Sequence, residues 1–280
     1  MKNIIFIGET RDFSDRWLIS VLKKYHNKVT IVNVKTDETL KFPQECDIVI
    51  NRLYTSSIQR FKKEKVLNFV RVIYQFEQQG TAIINFSKGY ELDISREKQS
   101  DFFRKKKVPF IETLNINRAL SDDKRSLVFP YVLKYNLSGR NKTLQIIRDK
   151  DELLSLPKPV KERGIIQPLI KKSVCYRTEF VGNWYSTFTQ HIDFRNDNLS
   201  FDYTRKIIST PLSESFRKSF CGILNEVGVQ VFSIEYFMEK NNLLKIIDFN
   251  LTSNYPDFFI KKVGNQLKKA WLNLIKNATI

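Results

Sequence analysis

The sequence is poor in the residues that build disulfide frameworks and nucleophilic catalytic sites. Its 280 residues include only 3 cysteines and 2 histidines. Cys46, Cys175 and Cys221 are too few and too widely spaced for a disulfide-stapled module or a paired metal motif. We expect them to be buried apolar residues. His26 and His191 belong to no recognisable catalytic triad, so we expect structural or surface roles for both.

Long apolar runs are also absent. No run approaches the roughly 18 residues that a bilayer-spanning helix needs. The apolar stretch at residues 3–8 is too short for a signal peptide and is soon followed by charged residues. We therefore expect a soluble, cytoplasmic protein with no membrane partner. Hydrophobic residues still make up 42% of the chain and aromatic residues 13%, which excludes a disordered chain and allows a sizeable core.

The charge is strongly one-sided. Lys and Arg number 47 against 30 Asp and Glu, a net charge of +17. One interpretation is attraction to a polyanion, such as nucleotide phosphates, nucleic acid or an acidic peptide. The other is AT-rich codon usage, because Lys, Asn, Ile and Phe are all plentiful and the basic residues are scattered. No aromatic-plus-basic motif of the RNA-binding type is present, which disfavours nucleic acid as a partner.

The first 90 residues alternate strand and helix patterns. Short apolar runs predict strands at residues 3–8, 28–34, 47–51 and 82–85, and helical spacing predicts helices at residues 15–25 and 66–79. Such alternation with short connections predicts a parallel sheet flanked by helices. Asn51, Arg52 and Tyr54 follow the third strand and are candidates for substrate contact, because ligands gather at the carboxyl ends of parallel strands.

From about residue 93 the chain no longer alternates short strands with helices. A charged helix at residues 94–107 and a strand at 110–114 precede two strands, 131–135 and 143–147, whose polar connection predicts an antiparallel flap. Later elements are a hairpin turning at residues 182–183, a helix at 213–227, strands at 229–238 and 243–250, and a helix at 257–276. The predicted domains are residues 1–92, 93–165 and 166–280.

The last predicted hairpin carries the most informative polar residues. Asp248 and Asn250 are two positions apart in an apolar strand, so their side chains leave the same face. Glu235 on the preceding strand lies opposite them if the register fits. Two carboxylates and an amide carbonyl form an all-oxygen site that suits Mg²⁺ with nucleotide phosphates. The alternative is a solvent-facing strand edge, although buried carboxylates are costly unless they are paired or bind a metal.

Two further segments could contact a nucleotide. Lys134 lies within an apolar strand and would direct its ammonium group at an anion, unless it is an edge residue that reaches solvent. The loop after it contains Ser138 and Gly139, whose backbone N–H groups could lie over phosphates. The apolar segment 167–170 could read adenine through its backbone, or it could be a buried linker.

The order of these elements resembles the ATP-grasp superfamily along nearly the whole chain. The similarity is greatest to the RimK-type glutamate ligases and to the microviridin-type macrocyclising peptide ligases, whose pattern the segments NWYSTFTQ, FDYTRK, FSIEYFME and IIDFNLTSNY resemble. The resemblance implies an α/β fold with three parts: an N-terminal Rossmann-like parallel-sheet domain, a small central α+β flap domain and a C-terminal antiparallel α+β domain.

The resemblance also implies roles for individual residues. Arg177 and, more loosely, Arg205 match the arginines that steady an acyl phosphate, and the metal ligands match at Glu235, Asp248 and Asn250. The ATP-binding positions are Lys98, Lys134, Ser138, Gly139, Gln167, Pro168, Leu169 and Ile170.

Four departures from the family pattern concern the flap, the ribose contact, an arginine and the metal ligands. The flap loop has less glycine than usual. Cys175 replaces the aspartate that often precedes the strand arginine, and Glu179 substitutes for it only if the strand register shifts. Arg205 is one place from its expected position. Glu235 and Asp248 exchange the usual aspartate and glutamate.

The implied reaction is an ATP-dependent ligation. ATP with Mg²⁺, or Mn²⁺ as an alternative, phosphorylates a carboxylate, and an amine or hydroxyl acceptor then attacks the acyl phosphate. An acidic peptide is an expected substrate because the basic chain would attract it. A homodimer is the assembly that base rates favour. The alternatives are an ATP-grasp-like small-molecule kinase and a basic nucleic-acid-binding protein.

Overall fold

The N-terminal part of the chain forms a parallel sheet, as the alternating strand and helix patterns predicted. The structure, a computed structural model, describes residues 2–26, 28–36, 46–121, 126–137, 144–194, 199–239 and 243–278. The strands of this sheet are β1 (Asn3–Gly8), β2 (Lys28–Asn33), β3 (Ile48–Asn51) and β4 (Ala82–Ile84). Their order is β2-β1-β3-β4, with every neighbouring pair parallel. The accompanying helices are α1 (Phe13–Tyr25), α2 (Ser57–Arg60), α3 (Lys63–Gln78) and α4 (Ser87–Asp93).

A second, antiparallel sheet follows, in the order β5-β8-β6-β7. Its strands are β5 (Leu114–Asn115), β6 (Tyr131–Tyr135), β7 (Gln145–Ile147) and β8 (Gly164–Pro168). The helices of this region are α5 (Arg96–Lys105), α6 (Ile116–Ser121), α7 (Lys150–Ser155) and α8 (Lys158–Arg163). The predicted antiparallel flap is confirmed as the pair β6 and β7. The predicted boundary between residues 165 and 166 falls inside β8, whose pairing with β5 and β6 assigns it to this central sheet.

The third sheet is antiparallel and has five strands in the order β11-β10-β9-β12-β13. Its strands are β9 (Val174–Val181), β10 (Trp184–Asp193), β11 (Ser200–Ile208), β12 (Val231–Met238) and β13 (Leu244–Asn250). Its helices are α9 (Glu214–Asn225) and α10 (Asp257–Asn277). Gly182 has φ +56° in the turn between β9 and β10, a conformation that glycine adopts at little cost. This confirms the predicted hairpin.

The first and third sheets share one apolar interior. One buried cluster joins Ile5 and Val49 of the N-terminal strands to Phe232 and Phe249 of β12 and β13. Phe103 of α5 stacks on Phe220 of α9, with ring centroids 5.5 Å apart, and contacts Phe249 edge-on at the same distance. The strands that carry the candidate metal ligands are therefore backed by close packing. No helix in the described part of the chain has the length and apolar character that crossing a membrane demands.

Two local predictions differ from the structure. The helix predicted at residues 94–107 is preceded by α4, which the sequence pattern did not indicate. The strand predicted at residues 110–114 reduces to β5 and an isolated parallel bridge between Phe110 and Ile246. Pro109 accepts a hydrogen bond from the Ile246 backbone there, so the segment runs briefly beside β13 before it leaves for the central sheet.

Candidate active site

The register of β12 and β13 brings the predicted metal ligands together. Glu235 lies directly opposite Asp248, and Ser233 lies opposite Asn250. Since alternate residues share a face, both carboxylates and the amide project from one side of the sheet. The Asn250 amide nitrogen donates to Oδ2 of Asp248 at 3.3 Å. The pairing of β12 with β13 therefore has the register that the sequence analysis required for Glu235 to lie opposite Asp248.

A β-bulge lies next to this pair. After Glu235 and Asp248 the register shifts, so that Tyr236 faces Ile246 and Ile247 is the extra residue. Bulges of this kind redirect neighbouring side chains and interrupt the ladder. The Ile247 carbonyl accepts a hydrogen bond from Nζ of Lys134 at 3.4 Å. The flap strand β6 is thus connected to the metal strand β13 at the bulge.

Arg177 connects three groups on the same face. It lies opposite Glu235 in the pairing of β9 with β12. Its Nη1 donates to Glu235 Oε1 at 2.9 Å, its Nε to Glu179 Oε1 at 2.8 Å and its Nη2 to Ser253 Oγ at 2.9 Å. Burial disfavours its charged form, but the two carboxylates outweigh burial and raise the pKa of Arg177 above its ordinary value. Arg177 is thus a fixed, permanently charged group beside the carboxylates.

Two further cations border the carboxylates. Lys134 is half-buried, and burial lowers its pKa to about 8, although Asp248 and Glu235 favour its charged form. Arg96, the first residue of α5, places its Nε 3.1 Å from Asp248 Oδ1, and its Nη1 donates to the Tyr135 carbonyl at 3.0 Å. Burial raises the pKa of Glu235, and Asp248 acts in the same direction.

A narrow, mainly apolar pocket adjoins Lys134. Its lining includes Ile111, Val132, Phe237, Ile247 and the apolar segment 167–170, which we call the hinge. The predicted hinge residue Gln167 is buried, and its Nε2 donates to Thr113 Oγ1 at 2.9 Å. The neighbouring predicted positions Pro168, Leu169 and Ile170 all line the cavity. A flat, mainly apolar group would fit a pocket of this composition.

Other predicted positions lie away from this cluster. Lys98 is exposed on α5, and residues two apart on a helix point about 200° apart, so Lys98 and Arg96 cannot both face Asp248. Arg205 is exposed on the edge strand β11, with φ +57° at an irregularity in the pairing of β10 and β11. Ser138 and Gly139 lie outside the described residues. The roles assigned to these four residues stay predictions.

The N-terminal candidates for substrate contact are buried. Arg52 is 1% exposed and forms an ion pair with Asp15 at 2.9 Å. Its Nη2 also donates to the Ser253 carbonyl at 2.8 Å. Asn51 is buried as well, and its side chain donates to the Asn85 carbonyl. Arg52 therefore connects the first sheet to the loop after β13 instead of facing a substrate.

Three members of the cluster were not assigned roles from the sequence. Glu179 was considered for the ribose but instead binds Arg177. Arg96 is the first residue of α5, and the helical period starting there could have indicated which side chains of the helix share its face. No sequence signal marked Ser253, because its contacts with Arg177 and Arg52 arise only from the fold. Cys175, at the position usually held by the aspartate, is completely buried.

The donor set fits a magnesium ion. No group of three His, Cys, Asp or Glu side chains poised for a metal occurs among the described residues. The oxygen donors that β12 and β13 offer at this point are the Glu235 and Asp248 carboxylates and the Asn250 amide. Glu179 Oε2 and Ser233 Oγ are buried without a hydrogen-bond partner, and these two residues face each other in the register beside Glu235. Carboxylate, amide and hydroxyl oxygens are hard ligands, as Mg²⁺ and Mn²⁺ prefer.

Comparison with solved structures identifies the fold. The ATP-grasp ligase PsnB complexed with a minimal precursor matches with a TM-score of 0.68 and 13% identity, over 97% of this chain and 99% of that chain. A RimK-domain ATP-grasp protein from Sphaerobacter thermophilus matches with a TM-score of 0.65 and 14% identity, over 98% and 99%. The macrocyclase MdnC bound with precursor peptide MdnA, from Microcystis aeruginosa, matches with a TM-score of 0.63 and 12% identity, over 97% and 99%.

These structural matches cover nearly the full length of both compared chains and show that this chain has the ATP-grasp fold. They confirm the mixed α/β fold that the sequence resemblance implied. Comparison of sequences alone adds nothing, since no protein-family model matches and no curated protein sequence is significantly similar. The fold was thus detectable from a few ordered motifs and from the structure.

Proposed function

We propose that the protein is an ATP-dependent ligase that joins a carboxylate to an amine or hydroxyl group through an acyl phosphate. The observation that carries this proposal is the pairing of Glu235 with Asp248 on one face of the third sheet, next to Lys134 and Arg177. Oxygen ligands and fixed cations beside an apolar cavity match what a metal-bound nucleoside triphosphate requires.

The proposed nucleotide lies with its base in the apolar cavity and its phosphates toward β13. Pro168 and Ile170 of the hinge would read the adenine through backbone groups. Lys134 lies at the border between the cavity and the carboxylates, where its ammonium group would bind phosphate. Glu235, Asp248 and Asn250 would hold Mg²⁺, for which Mn²⁺ would substitute. Neighbouring structures of PsnB were obtained with AMPPNP and with Mg and ADP.

The chemistry proceeds in two displacements. A substrate carboxylate oxygen attacks the γ-phosphorus and ADP leaves, which produces an acyl phosphate. An amine or hydroxyl group then attacks the acyl carbon, inorganic phosphate leaves, and the nucleophile releases its proton. A metal ion held by Glu235, Asp248 and Asn250 would neutralise part of the phosphate charge. Arg177, held by Glu179, Glu235 and Ser253, keeps two of its five N–H groups with which to bind the acyl-phosphate oxygens.

The proposed substrate is an acidic peptide. PsnB and MdnC were each solved with a precursor peptide. The net charge of +17 would attract such a peptide to the cleft. Because this attraction is screened, raised salt should increase the apparent KM more than it lowers kcat. The alternative of a small-molecule kinase is not favoured, because the neighbours that match across nearly the whole chain are ligases.

The proposed setting is a homodimer in a reducing cytoplasm. Two-fold dimers are the commonest assembly of soluble oligomers, and the three cysteines are free thiols, as a reducing compartment would keep them. Analytical ultracentrifugation tests the dimer, for which a monomer at all concentrations would be the contrary result.

Steady-state release of ADP tests the proposed activity. The assay would supply ATP, Mg²⁺ and a panel of peptides that combine Asp or Glu with Lys, Ser or Thr side chains. Peptide-dependent ADP release, together with loss of one water from the peptide mass, supports ligation. The double variant Asp248→Ala with Asn250→Ala should abolish both signals. Full turnover by that variant would refute the metal assignment, and a stable phosphorylated peptide would indicate a kinase.

A further inference from the structure

Arg96 stands where three elements of the site meet. It begins α5, and its backbone N–H donates to the Asn136 carbonyl at the end of flap strand β6. Its guanidinium group reaches β13, with Nε 3.1 Å from Asp248 Oδ1, and Nη1 donates to the Tyr135 carbonyl at 3.0 Å. The Arg96 and Asp248 side chains are only 12% and 13% exposed, so water screens this ion pair weakly.

The start of the flap loop is anchored at the same point. The Asn136 Oδ1 atom accepts hydrogen bonds from the Glu97 backbone and from Ser95 Oγ, each at 3.1 Å. The Asn136 backbone N–H donates to the Arg163 carbonyl. Hydrogen bonds to Asn136 therefore hold the backbone at Arg96 in place, and only the Arg96 side chain extends to Asp248. A change in the partner of its guanidinium group needs only rotamer motion.

The charges around the carboxylates are nearly balanced without a metal ion. Arg96, Lys134 and Arg177 provide three positive groups against the carboxylates of Glu179, Glu235 and Asp248. Asp93 is also buried within electrostatic range of Asp248, and burial raises the pKa of Asp93 to about 7, so it adds only part of a negative charge at neutral pH. A divalent cation that binds Asp248 would meet the positive charge of Arg96 at the same carboxylate, and two cations at one carboxylate repel each other strongly in a poorly hydrated site. Metal binding therefore favours release of Arg96 from Asp248.

We propose that Arg96 takes the place of the metal ion at Asp248 in the nucleotide-free protein and moves to the nucleotide phosphates when the metal binds. The inference rests on the proposed function. A guanidinium group suits both positions, because its planar set of N–H donors matches carboxylate and phosphate oxygens equally well. Arg96 is thus a positioning residue for Asp248 in one state and a phosphate ligand in the other.

Two binding measurements on Arg96→Gln test this exchange, because they should move in opposite directions. Mn²⁺ titrated without nucleotide and followed by its electron paramagnetic resonance signal should bind about tenfold more tightly, since a competing cation is gone. ADP titrated by calorimetry at a saturating Mg²⁺ concentration should bind about tenfold more weakly, since a phosphate ligand is gone. Arg96→Lys keeps the charge and should restore most of the ADP affinity.

The matched control is Arg104→Gln on the same helix, where the arginine is exposed and, among the described residues, forms its ion pair with Asp101. It should leave both affinities unchanged. If Arg96→Gln lowers the affinity for both Mn²⁺ and ADP, or leaves the Mn²⁺ affinity unchanged, the arginine only supports the structure of the site. Either result refutes the exchange. If the wild-type protein binds neither Mn²⁺ nor ADP, the proposed function itself fails. A folded variant, shown by an unchanged thermal midpoint, separates these outcomes from misfolding.

Discussion

Glu235 lies opposite Asp248 across β12 and β13, one residue before the bulge at Ile247. This relationship places two carboxylates on one face and directs the Ile247 carbonyl to Lys134. It also makes the two acids inseparable in function, because both would bind the same ion. The predictions below start from this pair and extend to the residues that support it.

Neutralising either carboxylate should impair the metal site without unfolding the protein. Glu235→Gln and Asp248→Asn should each lower kcat by about 10²–10³, the usual effect of removing one electrostatic contact to a transition state. Each should also raise the Mg²⁺ concentration needed for half-maximal rate. Asp257→Asn is the control, because Asp257 is exposed and its ion pair in the described part of the chain is with the neighbouring surface residue Lys261. Unchanged Mg²⁺ dependence in both site variants would show that the ion binds elsewhere.

Arg177→Lys should lower kcat much more than it changes the KM for ATP. Lysine keeps the positive charge but cannot contact Glu179, Glu235 and Ser253 simultaneously with the geometry of a guanidinium group. We expect a loss of about 10² or more in kcat. Rapid-quench measurement of ADP formation tests this. Equal changes in kcat and in nucleotide affinity would argue against a role at the acyl phosphate.

Nucleotide affinity should depend on the protonation of Lys134. Burial lowers the pKa of Lys134 to about 8 in the free protein, and a bound polyphosphate would favour its charged form. Binding above this pH therefore requires uptake of a proton, and affinity should fall as the pH rises from 7 to 9. Calorimetric titration with ADP in buffers of different ionisation enthalpy measures that uptake. Lys134→Arg should remove the dependence, and its persistence would point to another group.

Removing Arg52 should destabilise the protein rather than alter its chemistry directly. Arg52→Met leaves Asp15 buried without its partner, which should lower the free energy of unfolding by about 3–5 kcal/mol. The double variant with Asp15→Leu should recover most of that loss. Urea unfolding measured for the two single variants and the double variant provides the coupling, and additive losses would contradict a direct interaction.

The same ion pair predicts a pH dependence of stability. Burial raises the pKa of Asp15 to about 6, against 3.8 when unperturbed. A carboxyl whose folded pKa is raised contributes stability that is present in full below about 3.8 and is lost as the pH rises through about 6. The Arg52→Met variant should therefore be closer to the wild-type protein at pH 5 than at pH 8. A constant difference between the two proteins would contradict this.

Much of the fold could be predicted because local and tertiary preferences agree. The apolar runs of β1 and β6 indicated those strands with their observed bounds. The hairpin at Gly182 was predictable because glycine allows the left-handed turn. Residues 110–114 were misassigned because their neighbours come from two different sheets, Ile246 of β13 and Ile166 of β8. Sequence pattern cannot show which distant strand supplies a partner.

Site residues that share one face of a strand could be predicted from the sequence. Contacts made by long side chains from other elements were harder to predict. The common face of Asp248 and Asn250 follows from a period of two, and only the partner strand was uncertain. The sequence resemblance indicated Lys98, whose role stays a prediction, whereas Arg96 is the residue of α5 that contacts Asp248, because the helical period separates the two side chains. Ser253 had no sequence signal, because its position against Arg177 depends on how the loop after β13 meets the first sheet.

Calorimetric titration with AMPPNP and Mg²⁺ tests the central claim most directly. The claim predicts one nucleotide bound per chain in the wild-type protein, and no detectable binding by the folded double variant Asp248→Ala with Asn250→Ala. The Arg104→Gln variant should bind as the wild-type protein does. No nucleotide uptake by the wild-type protein, or equal affinity in the double variant, would contradict the account.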